Sequence, residues 1–314
     1  MKIKNIKIQQ LFALENNDFD IECFPTEKIS IIYAFNGLGK TTLLRLIFGM
    51  SKNVKPILES IPFKSLELVF DNGKNISVEK PDPKATEYTY RIDGKMADEL
   101  LLAELQKEFN VTTIFANKDY NRGISTFAKW ALKNGDTIWD SAVEYKQETK
   151  QNSSMFNDDT GAPNPIVKIE QALTDRLKDP AGRAKVEELR DILNKNFTMT
   201  FKHLEILDDK FMAVPDSEYP NDPVLPIHEL SSGEIKLILM FYELLFETEP
   251  HSIVLLDEPE SSLHVDWQKD LLQAVINCCK NNDIQIIVAT HSPDVVEDYF
   301  TQLTPMLSKR YAAE

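Results

Sequence analysis

Between residues 228 and 268 the spacing of apolar positions changes character. Ile235, Ile238, Leu239, Tyr242, Leu245 and Phe246 recur at intervals of three, four and seven, which predicts a helix with one apolar face. Ile253-Val254-Leu255-Leu256 then forms an unbroken apolar run, too short for a helix, that ends at Asp257-Glu258-Pro259. Such a run fits a strand buried on both faces of a parallel sheet, whose C-terminal edge is where these sheets bind ligands. A helix is expected over 266–280. A second buried strand is expected over 284–289, with Thr290-His291-Ser292-Pro293 at its end.

The first third alternates instead. Ile3, Ile6 and Ile8 mark an opening strand, 19–23 a second, and 29–33 a third that runs into a glycine-rich loop. A helix over 41–50 turns Leu43, Leu44, Ile47 and Phe48 inward. Strands over 66–70 and 76–80 flank Asp71-Asn72-Gly73-Lys74, a hairpin turn. A further strand over 87–92 ends at Asp93-Gly94, followed by an amphipathic helix over 97–109 and a short strand over 111–115.

Beyond that point helical spacing returns at 124–133, 166–178 and 184–196, the last with Val186, Leu189, Ile192 and Leu193 on one side. Residues 151–165 are polar with glycine and proline, and mobility is expected there. A hairpin over 201–214 and a proline-rich link over 215–226 lead into the central stretch. No repeat and no sustained heptads occur. A helix of about 13 residues is about 20 Å long, so no long coiled-coil arm is expected. The organisation is a single α/β domain over 1–314: a mixed or parallel sheet core, an N-terminal antiparallel β subdomain and a helical insertion over 118–203.

Composition narrows the class. At 314 residues and 42% hydrophobic content the chain can bury a full core. The cysteines, Cys23, Cys278 and Cys279, show no metal spacing, which fits a reduced, cytoplasmic setting. No signal peptide is expected, and no apolar run reaches the roughly 20 residues needed to cross a bilayer. With 35 Lys+Arg against 50 Asp+Glu, the net charge of −15 disfavours nucleic-acid binding by the whole surface. Direct nucleic-acid binding stays open only through a local patch. Residues 165–203, with eight Lys/Arg against six Asp/Glu, are the weak candidate.

The glycine-rich loop carries specific chemistry. Ala34-Phe35-Asn36-Gly37-Leu38-Gly39-Lys40-Thr41 has the P-loop pattern, with alanine in place of the first glycine. Backbone N–H groups of such a loop point at phosphates, and Gly37 and Gly39 permit close approach. Lys40 supplies a charge to the β- and γ-phosphates, the Thr41 hydroxyl ligates Mg2+, and Thr42 follows in the helix. With that cradle present, Asp257 becomes the magnesium carboxylate and Glu258 the base that orients water. His291 would contact the same phosphate. Ser231-Ser232-Gly233-Glu234 opens a helix. It reads either as a second anion site, serving the nucleotide of another copy, or as an ordinary N-cap.

The order P-loop, LSSGE, LLDEPE-SSLH, ATHSP resembles the ATP-binding-cassette (ABC) ATPases. It is most similar to their soluble branch, which includes SMC-like repair ATPases, OLD-family nucleases and bacterial anti-phage ATPases of the Septu and retron-associated kinds. Ser232 and Glu234 in the first motif, and Glu260 and His264 in the second, follow that branch rather than the transporter pattern. The resemblance implies that ATP and Mg2+ are bound, and that Ser231–Glu234 caps the ATP held by Lys40 of a facing subunit. It implies that Ser261 to His264 crosses a dimer interface, in a homodimer or higher homo-oligomer. The family's glutamine loop has no clear match, Asn117 being a weak substitute, and Phe12 is a candidate for the adenine.

The expected function is an ATPase switch controlling a separate effector, a nuclease, in anti-phage defence. Cleavage would then reside in another chain, with 118–203 as the partner-binding surface. A DNA repair or recombination accessory, a transporter's energy subunit and a non-hydrolysing sensor are the alternatives.

Overall fold

A computed structural model describes residues 1–115, 165–197 and 200–308. The helix expected over 124–133, the stretch 151–164 and Asn117 lie outside these residues. In chain order the strands are β1 (Ile3–Gln9), β2 (Phe19–Glu22), β3 (Ile29–Tyr33), β4 (Ser65–Phe70), β5 (Asn75–Glu79), β6 (Thr89–Ile92), β7 (Lys95–Met96), β8 (Val111–Phe115), β9 (Lys202–Leu207), β10 (Lys210–Pro215), β11 (Leu225–Pro226), β12 (Ile253–Asp257), β13 (Gln285–Thr290) and β14 (Leu303–Pro305). The helices are α1 (Lys40–Lys52), α2 (Lys55–Ser60), α3 (Glu99–Glu108), α4 (Pro165–Arg176), α5 (Pro180–Asn196), α6 (Ser232–Tyr242), α7 (Val265–Cys279) and α8 (Pro293–Val296). The chain divides into two compact units, each taken by itself.

The first unit comprises Met1–Phe115, Glu249–Pro259 and the chain from Lys280. It holds an antiparallel sheet in the order β2-β1-β4-β5-β6-β7 and a parallel sheet in the order β14-β3-β13-β12-β8. Ile3 and Ile6 are three residues apart, which a regular strand would send to opposite faces. A register shift between Ile3 and Asn5 restores the phase, and Ile3, Ile6 and Ile8 are all fully buried. In the parallel sheet every residue of β12 and β13 is buried, as the unbroken apolar runs require. The fully buried Gln285 side chain ties the two sheets together. It accepts from the Ile3 N–H and donates to the Ile3 carbonyl, each at 2.7 Å. Elements absent from the hydrophobic pattern include α2, α8, β7 and β14, the last an edge strand beside β3.

The second unit comprises the described part of Ala116–Thr248 together with Glu260–Cys279. Its β9–β10 hairpin closes on Asp208 and Asp209, with φ of 48° and 58°. Two left-handed residues match the strand twist as a two-residue hairpin turn requires. The proline-rich link is more than a link, because β11 pairs with β10. Asp179 caps α5 by accepting from the Gly182 N–H at 2.8 Å, with Pro180 in the first turn.

Helix α6 departs from the one-faced helix expected. Leu237, Met240 and Phe241 are as buried as Ile238 and Leu239, so the helix is enclosed on all sides. It continues into a π-helical turn over Glu243–Glu247, which changes the helical phase. Leu244 is buried there while Leu245 and Phe246 are half-buried, so the expected apolar stripe ends at Tyr242. The Arg176 guanidinium lies 4.4 Å from the Phe246 ring and 3.7 Å from Glu247, which holds this turn to α4. No helix among the described residues is long and apolar enough to cross a membrane.

Candidate functional site

Because β3, β12 and β13 are parallel neighbours, the segments leaving their carboxyl ends emerge at one edge of the sheet. The P-loop leaves β3 there. Gly37 and Gly39 have φ of 86° and 96°, which an L side chain rarely adopts. A Cβ on Gly39 would stand 2.9 Å from Leu11 Cδ2 and 3.0 Å from Phe12 Cε2, so a side chain there would also have to displace these neighbours. Helix α1 begins at Lys40 with no capping side chain, which leaves its first-turn N–H groups available to an anion. Lys40 is 4% exposed, and its ammonium donates to the carbonyls of Ala34 at 2.8 Å and Phe35 at 3.3 Å.

Asp257 closes β12 and is 1% exposed. Burial raises its pKa from 3.8 to about 6. The Thr41 hydroxyl, Arg45 and Lys40 oppose that rise, and the charge of Glu258 adds to it. Neither carboxylate oxygen has a hydrogen-bond partner at normal distance among the described residues, so Thr41 is near without closing a full bond. A buried orphan carboxylate demands an explanation. A hydroxyl and a carboxylate on hard oxygen atoms suit a divalent cation such as Mg2+. The residues present therefore fit the ion.

Glu258 turns sharply out of the strand with a left-handed φ of 46°, while its N–H donates to the Ala289 carbonyl at 2.8 Å. Its Oε1 stands 3.9 Å from Lys40 Nζ and 3.3 Å from His291 Nδ1. A carboxylate held between an ammonium and an imidazole, partly open to solvent, can accept a proton from water.

In the second unit, Ser231 caps α6 with a reciprocal box. The Glu234 N–H donates to Ser231 Oγ at 3.5 Å, and the Ser231 N–H donates to Glu234 Oε2 at 2.8 Å. The Ser231 hydroxyl also donates to that oxygen at 2.6 Å. Glu234 is 1% exposed, and Lys202 Nζ lies 2.9 Å from its other oxygen as an ion pair without hydrogen-bond alignment. The buried Lys236 ammonium donates to the Ser261 carbonyl. A Cβ on Gly233 would meet the Ser262 carbonyl at 2.9 Å. The segment at 261–262 and the start of α6 are thus locked together.

Residues 36–297 match the family model AAA_21, described as "AAA domain, putative AbiEii toxin, Type IV TA system". The chain belongs to the AAA_21 family. Its P-loop, Ala34 to Thr41, accords with the AAA domain that this model describes. The UvrABC system protein A of Clostridium tetani is 23% identical over 307 residues, and that of Clostridium acetobutylicum 21% over 309. These alignments cover 93% and 95% of the chain but 31% of each relative, so the chain spans about a third of the curated relatives' length. A Pyrococcus furiosus Smc head domain, solved with an extended coiled coil and bound to the C-terminal domain of ScpA, aligns over 98% of this chain and 94% of that one. Its TM-score is 0.50 at 13% identity. The SMC head domain from Thermotoga maritima aligns over 98% and 97%, at a TM-score of 0.49 and 15% identity. At 13% identity the likeness to the Pyrococcus furiosus head is one of fold, that of an SMC-head-like P-loop NTPase with a parallel core and an antiparallel sheet.

Within this AAA_21 domain the expected site residues fall in two places. Asn36, Gly37, Leu38, Gly39, Lys40, Thr41 and Thr42 lie in the loop and first turn of α1, and Asp257, Glu258 and His291 join them at the sheet edge. Ser231, Ser232, Gly233 and Glu234 belong to the other unit, the two serines exposed and the last two residues buried. Phe12 packs beside Gly39 in a left-handed conformation, next to the cradle. Sequence reasoning missed Arg45, whose charge acts on Asp257, and Lys202 and Lys236, which hold the Ser231 turn. Lys236 was legible as a cation inside an apolar helix. Lys202 carried no signal in the sequence.

Proposed function

We propose that this domain binds and hydrolyses magnesium-ATP and works as a head-to-tail dimer that switches a separate effector. The observation that carries the reading is the convergence of Lys40, Thr41, Asp257, Glu258 and His291, with a buried carboxylate that lacks a partner beside a hydroxyl. The loop amides and α1 N-terminus bind the phosphate oxygens. Lys40 exchanges its two carbonyl contacts for the β- and γ-phosphates. Thr41 and Asp257 would hold Mg2+, which supplies neutralisation of charge on the transferred phosphoryl group. Glu258 orients water and takes its proton. His291 steadies the Glu258 carboxylate and reaches the terminal phosphate.

The Ser231–Glu234 turn supports dimerisation as a second phosphate-binding end, because one P-loop already surrounds its own triphosphate. The soluble-branch motifs support an effector in another chain, a nuclease in anti-phage defence, with 118–203 as its docking surface. A family description that names a toxin–antitoxin system is compatible with such a role. The alignment with UvrABC system protein A and the SMC-head fold favour a second reading, a DNA repair or recombination accessory. DNA-stimulated ATP turnover selects that reading.

Sedimentation of Glu258→Gln with ATP tests the dimer. A trapped dimer that Ser231→Arg abolishes is expected, and a Ser231→Arg variant that dimerises like its parent reduces Ser231 to a helix cap. Incubating the pure chain with plasmid DNA, Mg2+ or Mn2+, and ATP tests the effector claim. Cleavage that disappears in a point mutant of this chain contradicts it.

A further inference from the structure

We infer that Lys202 is a positioning residue for the Ser231 phosphate cap, an inference that rests on the dimer reading above. A capping turn meant for a triphosphate is poorly served by a buried carboxylate at its base, since like charges repel. Here Glu234 is buried, and its Oε2 accepts from both the N–H and the hydroxyl of Ser231 at 2.8 and 2.6 Å. The same hydroxyl must turn its hydrogen outward to donate to a phosphate oxygen. Lys202 Nζ, 2.9 Å from Oε1, offsets the carboxylate charge and weakens its hold on that hydrogen.

Lys202 is itself fixed from behind. The Asn194 amide of α5 brackets Leu204, accepting from its N–H at 2.7 Å and donating to its carbonyl at 2.9 Å, two residues along the same strand. The ammonium therefore stands on an ordered strand rather than on a mobile loop. It lies about thirty residues before the turn it serves, outside any motif.

The test uses the full chain carrying Glu258→Gln, with dimer formation followed by sedimentation across an ATP titration and nucleotide binding by the monomer measured separately. Lys202→Met should raise the ATP concentration for half-maximal dimerisation about tenfold, the size of one good charge contact. Monomer ATP affinity should stay within about twofold, while the thermal midpoint falls because Glu234 is left buried without its ion-pair partner. Lys202→Arg should restore dimerisation. In a Glu234→Gln background, where no charge remains to offset, adding Lys202→Met should change dimerisation by less than about twofold. A Lys202→Met variant that dimerises like the parent overturns the inference alone. So does a defect that persists undiminished with Glu234→Gln, since Lys202 would then act elsewhere. A parent that stays monomeric with ATP overturns both the inference and the dimer reading.

Discussion

Asp257 offers a test of the site that needs no turnover. Its pKa is raised from 3.8 to about 6, chiefly by burial, so the folded protein holds this proton more tightly than the unfolded chain does. For an acid shifted upward the sign is unusual. The group's contribution to stability is fully present below pH 3.8 and is lost as pH rises towards about 6. Above that window the folded state carries a constant penalty of about 3 kcal/mol, at 1.36 kcal/mol per tenfold change in proton affinity. Asp257→Asn removes the charge with little change of shape. It should stabilise the nucleotide-free protein by about 3 kcal/mol near pH 7.5 and by only about 1 kcal/mol near pH 4.5. For a chain of this size the gain near neutrality is about 5–10 °C in thermal midpoint. Magnesium-ATP should then raise the midpoint of the parent, by about 2.7 kcal/mol at a hundredfold excess over Kd, and raise that of Asp257→Asn far less. Thermal melts at the two pH values, with and without ligand, give all four numbers. An Asp257→Asn variant no more stable than the parent near pH 7.5, or equally stabilised at both pH values, refutes the reasoning.

Two glycines give further tests. Gly39→Ala forces a side chain into a left-handed conformation 2.9 Å from Leu11, and should cost about 1–3 kcal/mol of stability and most ATP binding; normal ATP affinity would show that the loop does not need this approach. Gly233→Ala should destabilise the protein by about 1 kcal/mol, because the clash with the Ser262 carbonyl outweighs alanine's better helix propensity; a stabilised variant would mean that the contact relaxes freely.

The elements read most surely from the sequence were those whose pattern is local. The fully apolar runs that became β12 and β13, the Asp71–Lys74 turn and the P-loop followed by α1 each carry their signal within a few residues. Short pieces such as β7, β11 and β14 are only two or three residues long and show no period of their own, and β14 also takes its hydrogen bonds from β3, a strand distant in the chain. The π-helical turn after α6 was hidden for a different reason. A change of phase inside a helix leaves the apolar residues in place and alters only which of them stay buried. At the candidate site the acid, the base and the cradle were legible as motifs, whereas their electrostatic surroundings were not. Lys202 and Arg45 owe their places to packing between segments that no local spacing records.

The central claim is that Glu258 activates water at a site where Lys40 holds the phosphates, and one comparison tests it most directly. Phosphate release at saturating magnesium-ATP should be measured for the parent, Lys40→Ala and Glu258→Gln, with nucleotide binding measured alongside. Lys40→Ala should lose binding. Glu258→Gln should bind ATP like the parent while its turnover falls about 100-fold or more, the loss of a positioned base. Turnover by Glu258→Gln close to that of the parent would contradict the account.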